Sequence, residues 1–195
     1  MKKQILITIG REYGSGGHDL AALLSQRLGI RMLDRELIDE LWKNDPEMQQ
    51  LAQQYDERPA NRILSRKINE FDNSIPHNVA QRQFDMIRQI ADSGESAIFV
   101  GRCADYVLRH RNPLRLFFYA DIADRMERCR KRNEEQKSLN HDVLRKIITQ
   151  TDKNRSRYYE FLSGQKWGAK ENYDLCINTS SADTEKIIQC VISLL

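Results

Sequence analysis

An apolar run, Ile5-Leu6-Ile7-Thr8-Ile9, passes directly into Gly10-Arg11-Glu12-Tyr13-Gly14-Ser15-Gly16-Gly17-His18-Asp19, and then into a helical pattern set by Leu20, Leu23, Leu24 and Leu28. Few local arrangements satisfy that order. A buried strand must enter a glycine turn that opens a helix, and such a turn points successive backbone N–H groups and a helix N-terminus at one spot. That spot suits a phosphate. In the common phosphate-binding rule, G-x-x-x-x-G-K-[ST], a lysine reaches the outer phosphates and a hydroxyl holds magnesium. Matching Gly14 and Gly16 to such a loop sets Gly17 at the lysine position and His18 or Asp19 at the hydroxyl position. The cradle is expected without its usual cation, and Arg11 at the mouth of the turn or His18 in the first helical turn is the expected substitute.

Further apolar runs at 97–100, 114–120 and 175–177, with a weaker one at 31–33, read as buried strands. Helical patterns lie between them at 19–28, 35–42, 78–92, 104–109, 122–133 and 142–161, and a last one at 184–194 has Asp183 or Thr184 at its cap. Strands alternating with helices predict an α/β fold, with a parallel sheet of about five strands, right-handed crossovers and helices on both faces. Ligands of such sheets bind beyond the C-terminal strand ends, the edge at which the glycine turn emerges. A chain of 195 residues is long enough for a single domain with its own core. The stretch 43–77 is polar, carries Pro46, Pro59 and Pro76, and reads as an acceptor-site insertion. The polar tract 130–140 reads as the hinge of a helical lid spanning about 125–160.

Charge and cysteine usage narrow the function classes. A net charge of +3 without an aromatic platform argues against a nucleic-acid role. The basic residues nevertheless cluster at Arg125, Arg128, Arg130, Lys131 and Arg132 and again at Arg145, Lys146, Lys153, Arg155 and Arg157, which fits a small anionic partner as well as a solvated face. Cys103, Cys129, Cys176 and Cys190 form no C-x-x-C pair, so neither a zinc site nor a disulfide framework is indicated. No stretch reaches membrane-spanning length and the N-terminal apolar run is too short for a signal peptide, so a cytoplasmic protein with no membrane partner is expected.

Three more clusters carry candidate chemistry. At Leu33-Asp34-Arg35-Glu36, Asp34 is either a helix cap or a ligand, while Arg35 opposes the dipole of the helix it starts and so fits an anion held nearby. In Val100-Gly101-Arg102-Cys103-Ala104-Asp105, Gly101 turns the chain so that Arg102 offers a guanidinium fork to phosphate at the same edge. Asp105 accepts from a base or ribose, orients Arg102, or is only a helix-start charge, and Val100 stands where an acidic residue would organise magnesium. Asp152 and Arg155 share one helical face, with Lys153 and Arg157 beside them, either as a solvated face or, together with Arg125 and Arg128 on the preceding helix, as a basic cover over a migrating phosphoryl group. In the tail, Trp167 reads as packing, and Asn178, Thr179 and Ser180 close a final strand at the ligand edge.

Taken in order, Ile9 to Gly17, Asp34-Arg35-Glu36-Leu37-Ile38, Val100 to Tyr106, Asp152-Lys153 with Arg155 and Tyr158-Tyr159, and Gly164 to Trp167 with Asn172 to Cys176 resemble the cytidylate kinase-like family, a branch of the P-loop nucleoside monophosphate kinases. The resemblance implies a three-layer P-loop NTPase-type fold and a transferase using ATP and Mg2+, with a nucleoside monophosphate, CMP or dCMP, as acceptor. It implies that Tyr13, Gly14, Ser15, Gly16, Gly17, His18 and Asp19 hold ATP, and that Asp34, Arg35, Arg102, Asp105, Asp152 and Arg155 lie at the acceptor. Arg11, Arg102 and Arg155 are then the catalytic cations, with no protein side chain assigned to a metal. Against this stand a nucleotide sensor or pseudokinase, favoured by Gly17 and Val100, and a kinase for another small metabolite.

Overall fold

The computed structural model describes residues 3–34 and 77–195. Five strands, β1 (Leu6–Arg11), β2 (Arg31–Leu33), β3 (Ala97–Val100), β4 (Leu114–Tyr119) and β5 (Leu175–Asn178), form one sheet in the order β2-β3-β1-β4-β5. Every pairing is parallel, with Ile9 beside Val100 and Arg11 beside Phe118. The helices are α1 (Gly17–Leu28), α2 (His77–Asp92), α3 (Ala104–Val107), α4 (Ile122–Arg132), α5 (Glu134–Lys137), α6 (His141–Ser163) and α7 (Thr184–Ile192).

Strands that alternate their side chains between two covered faces read as unbroken apolar runs, and here each face has its own core. On one face Leu6, Leu33, Ala97 and Phe99 meet Phe84, Ile87 and Ala91 of α2, Ala104 and Val107 of α3 and Tyr159 of α6. On the other, Ile7, Ile9, Ile98, Val100, Leu116 and Phe118 meet Leu20, Ala21 and Leu24 of α1 and Ile187, Ile188 and Val191 of α7. The sheet is thus the middle of three layers. A smaller cluster, Met126, Cys129, Leu144 and Ile148, holds α4 against α6 beyond the strand ends.

The expected α/β architecture with a five-stranded parallel sheet is present. Its element ends differ in physically informative ways. The first helix begins at Gly17, two residues before the expected start, because Gly16 adopts φ 80° and closes the turn earlier. The 104–109 helix stops at Val107 and tightens into a 3-10 turn at Arg109–Arg111. The polar tract 130–140 is not a simple break, since α5 forms inside it. Asp183 caps α7 by accepting from the N–H groups of Glu185 and Lys186. The predicted helix 35–42, Arg35 itself and most of the 43–77 insertion lie outside the described residues. Among the described residues, no helix is long and apolar enough to cross a membrane.

Candidate active site

The glycine turn leaves the C-terminal end of β1 at the centre of the sheet, flanked by the ends of β3 and β4. Gly14 and Gly16 both adopt φ +80°, which side chains rarely tolerate, and a Cβ on Gly14 would lie 2.8 Å from the Arg125 carbonyl oxygen. Among the described residues, the N–H groups of Gly14, Gly16, His18 and Asp19 have no hydrogen-bond acceptor, while Gly17 donates to Ser15 Oγ at 3.3 Å. Donors concentrated at a helix start with no acceptor of their own form a cradle for an anion.

Three carbonyls of the same turn, those of Arg11, Tyr13 and Ser15, are engaged by residues from far along the chain. Arg128 of α4 donates to Ser15 O at 2.9 Å and to Thr179 Oγ1 and O, and Thr179 Oγ1 donates to Ser15 O at 2.6 Å. Arg125 Nε donates to Tyr13 O at 2.7 Å. Its two other nitrogens reach Glu12 at 2.9 Å and Asp152 Oδ2. Asp152 in turn accepts from Tyr13 N at 2.7 Å through Oδ1. The Arg125 side chain is only 7% exposed and its carboxylate partners are half-buried, so this triad is a partly buried ionic clamp on the loop. Burial raises the Glu12 carboxyl above the usual range, opposed by the Ala120 N–H and Arg125.

Arg155 donates to Arg11 O at 2.9 Å and lies 5.6 Å from the centre of the Tyr13 ring. The Arg11 guanidinium fills the space where Gly101 would carry a side chain. Burial, then Arg155, then Arg102 pull its pKa down to about 9, with Asp34 and Asp152 opposing. At neutral pH it remains charged and carries an electrostatic penalty that an anion would relieve. Burial also lowers Arg155. Gly101, Arg102 and Cys103 have φ of 82°, 56° and 55°, so three successive residues are left-handed and two of them have a Cβ. Such strain concentrates at functional sites.

The sequence-derived residues divide accordingly. Arg11, Arg102, Tyr13 to Asp19, Asp34, Asp152 and Arg155 converge on this edge. His18 Nε2 lies 3.0 Å from Asp34 Oδ2, and Asp19 is 3.6 Å from Arg132. Ser15 is wholly buried and turned into the fold. Asp152 faces the loop backbone rather than open solvent. Asp105, 8% exposed, accepts from the Tyr159 hydroxyl at 2.6 Å inside the protein. Of the residues that hold the loop, Glu12 lies inside the glycine motif without standing among the sequence candidates, Arg125 and Arg128 stand there only as part of a basic cover, and Thr179 only as a strand-closing residue at the ligand edge. Asn178 and Ser180 are used locally: Asn178 Oδ1 accepts from Ser180 N, and Ser180 Oγ accepts from Asp121 N.

The structure also explains the missing lysine. A Cβ on Gly17 would sit 2.8 Å from Arg11 Cβ and 3.1 Å from Phe118 Cβ, so the position is closed by its neighbours.

A parallel sheet with a glycine turn at its C-terminal edge opening the first helix defines the P-loop kinase class of fold. Solved structures agree. A shikimate kinase from Bacteroides thetaiotaomicron superposes with a TM-score of 0.59 over 97% of both chains at 15% identity, which shows the fold alone. An uncharacterized protein from Eubacterium ventriosum is more similar, with a TM-score of 0.75, 28% identity and 98% of both chains covered. In sequence, a cytidylate kinase from Methanobrevibacter smithii is 27% identical over 191 residues, covering 98% of each chain. The profile of the cytidylate kinase-like family matches residues 6–181, and the chain belongs to that family.

Proposed function

We propose that this protein transfers the γ-phosphoryl group of ATP to a nucleoside monophosphate, with CMP or dCMP as the acceptor. The observation that carries the reading is the two-sided glycine turn. Its carbonyls are held by Arg125, Arg128 and Arg155, while its amides at Gly14, Gly16, His18 and Asp19 keep no acceptor among the described residues. That cradle fits a polyphosphate. In this reading the backbone of Tyr13 to Asp19 binds ATP, Arg11, Arg102 and Arg155 stabilise charge on the migrating group, and Asp34 and Arg35 are assigned to acceptor binding. Asp152 keeps the loop in shape through Tyr13 N.

Phosphoryl transfer needs little beyond positioning and electrostatic stabilisation, and half-buried guanidinium groups supply both. When bound, Mg2+ neutralises charge on the β- and γ-phosphates. Among the described residues no group of three His, Cys, Asp or Glu side chains could hold a metal ion. This cation normally takes few protein ligands, and phosphate oxygens and water would supply most of its shell.

The crowding at Gly17 favours a second reading, a nucleotide-binding protein without efficient transfer. Coupled measurement of ADP formation with ATP, Mg2+ and a panel of nucleoside monophosphates separates the two. Turnover greatest with CMP or dCMP is expected. Tight ATP binding with no ADP from any acceptor would establish the second reading instead.

A further inference from the structure

Asp105 is a carboxylic acid where an apolar residue would pack without penalty. It is 8% exposed and belongs to α3, whose Ala104 and Val107 lie in the same core cluster as Tyr159. Its partner is specific: the Tyr159 hydroxyl donates to Asp105 Oδ2 at 2.6 Å and lies 3.1 Å from Gln165 Oε1. Tyr173 stands beside Gly10, its hydroxyl 3.2 Å from where a Cβ on Gly10 would lie. Burial raises both the Asp105 carboxyl and the Tyr159 phenol above their ordinary ranges. A buried polar pair of this kind contributes less to stability than to a unique arrangement, because removing either partner takes the shortest bond from the other in a low-dielectric setting.

The pair fixes one element in particular. Tyr159 lies on α6 one helical turn after Arg155, the residue that donates to Arg11 O beside the glycine loop. The adjacent Tyr158 hydroxyl donates to Gln83 Oε1 of α2 at 2.9 Å, so two consecutive tyrosines tie this turn of α6 to the elements beneath it. A helix held by apolar contact alone can slide or rotate by fractions of an ångström, which is enough to misplace a guanidinium at a reacting group.

We propose that Asp105 is a positioning residue that acts through Tyr159 to fix the turn of α6 carrying Arg155, and thereby sets where the Arg155 guanidinium stands at the loop. The kinetic readout rests on the phosphoryl-transfer reading; the geometry does not.

The test is a double-mutant cycle. Asp105→Leu, Arg155→Ala and their combination are compared in kcat, acceptor KM, ATP affinity by calorimetry and melting temperature. Tyr159→Phe, which removes one oxygen, serves if Asp105→Leu fails to fold. Asp105→Leu and Tyr159→Phe are each expected to lower kcat by about tenfold with acceptor KM within about threefold of wild type. Asp105→Asn, whose amide oxygen still accepts from Tyr159, is expected to retain most of the activity. The double variant is expected to be no slower than Arg155→Ala, since the two residues act through one group. Losses that multiply, a raised acceptor KM at unchanged kcat, or full activity in Tyr159→Phe would each overturn the proposal. A wild-type protein that forms no ADP refutes phosphoryl transfer but not the positioning role. The same cycle read in ATP affinity then decides it, with non-additive losses upholding it and additive losses overturning it.

Discussion

Installing the lysine that the common loop rule expects, through Gly17→Lys, is predicted to weaken ATP binding and turnover. The reason is steric before it is electrostatic. A Cβ at residue 17 would meet Arg11 Cβ at 2.8 Å, about 0.6 Å inside the 3.4 Å of ordinary contact, with Phe118 Cβ and Cδ2 at 3.1 and 3.2 Å. Neither Cβ is the free end of a flexible side chain, so β1, β4 or α1 must move. Overpacking of this kind costs about 1–3 kcal/mol. In Gly17→Ala, the reduced freedom of the unfolded chain offsets about 0.4–1 kcal/mol of that cost. For a chain of this length each kcal/mol lowers the melting temperature by about 2–4 °C, so Gly17→Ala should melt a few degrees below wild type and Gly17→Lys lower still. The movement also displaces Arg11. Losing one charge-assisted hydrogen bond to a phosphate costs about 1.5–3 kcal/mol, or about 10- to 150-fold in affinity. Calorimetric titration of ATP into the three proteins, with thermal denaturation of each, measures both effects. A Gly17→Lys protein that melts with wild type and binds ATP as tightly or more tightly would refute the steric account, and with it Arg11 as the replacement cation.

Other perturbations test separate parts of the structure. Arg125→Met leaves Glu12 and Asp152 without their shared partner in a buried setting, and by thermal denaturation it should lower stability by about 3–5 kcal/mol. Thr179→Val removes the hydroxyl bonded to Ser15 O and should cost about 1 kcal/mol by urea titration, with ATP affinity falling as the loop loosens. Burial raises the Asp105 carboxyl, so the folded protein retains a proton that the unfolded chain has already released as pH climbs past the ordinary aspartate range. Stability from this group therefore falls with rising pH through that window. The urea midpoint of Asp105→Asn, relative to wild type, should accordingly improve from pH 4 to pH 8, and an unchanged difference would count against the raised value.

The central unit of β1, turn and α1 could be read directly because its signals are local: an apolar run, glycine punctuation and leucines at helical spacing within 25 consecutive residues or so. β3 was equally plain, being apolar throughout and bounded by turn residues. The clamp around the loop was not. Arg125 and Glu12 are 113 residues apart, and Thr179 and Ser15 are 164 apart, so their pairing leaves no trace in any window of sequence. Arg125 and Arg128 were noticed as part of a basic cluster, yet periodicity could not show that they turn inward to carbonyls rather than outward to solvent. Asp105 misled for a related reason: an acid at a helix start looks the same in sequence whether it faces a ligand or a buried tyrosine. Gly17 likewise read as a lost lysine, because the contacts of Arg11 and Phe118 that close the position belong to two different strands.

The engagement of the loop's carbonyls also bears on how the molecule assembles. The bonds that hold Arg11 O, Tyr13 O and Ser15 O come from Arg155, Arg125, Arg128 and Thr179, across separations of 112 to 164 residues. Contacts so distant must await closure of large chain segments, and they form slowly. All four partners follow the glycine segment in the chain, so its carbonyls gain them only once those later elements have docked. Completion of the cradle is therefore expected late in folding, and a chain shortened before Thr179 should lack part of the grip on the loop.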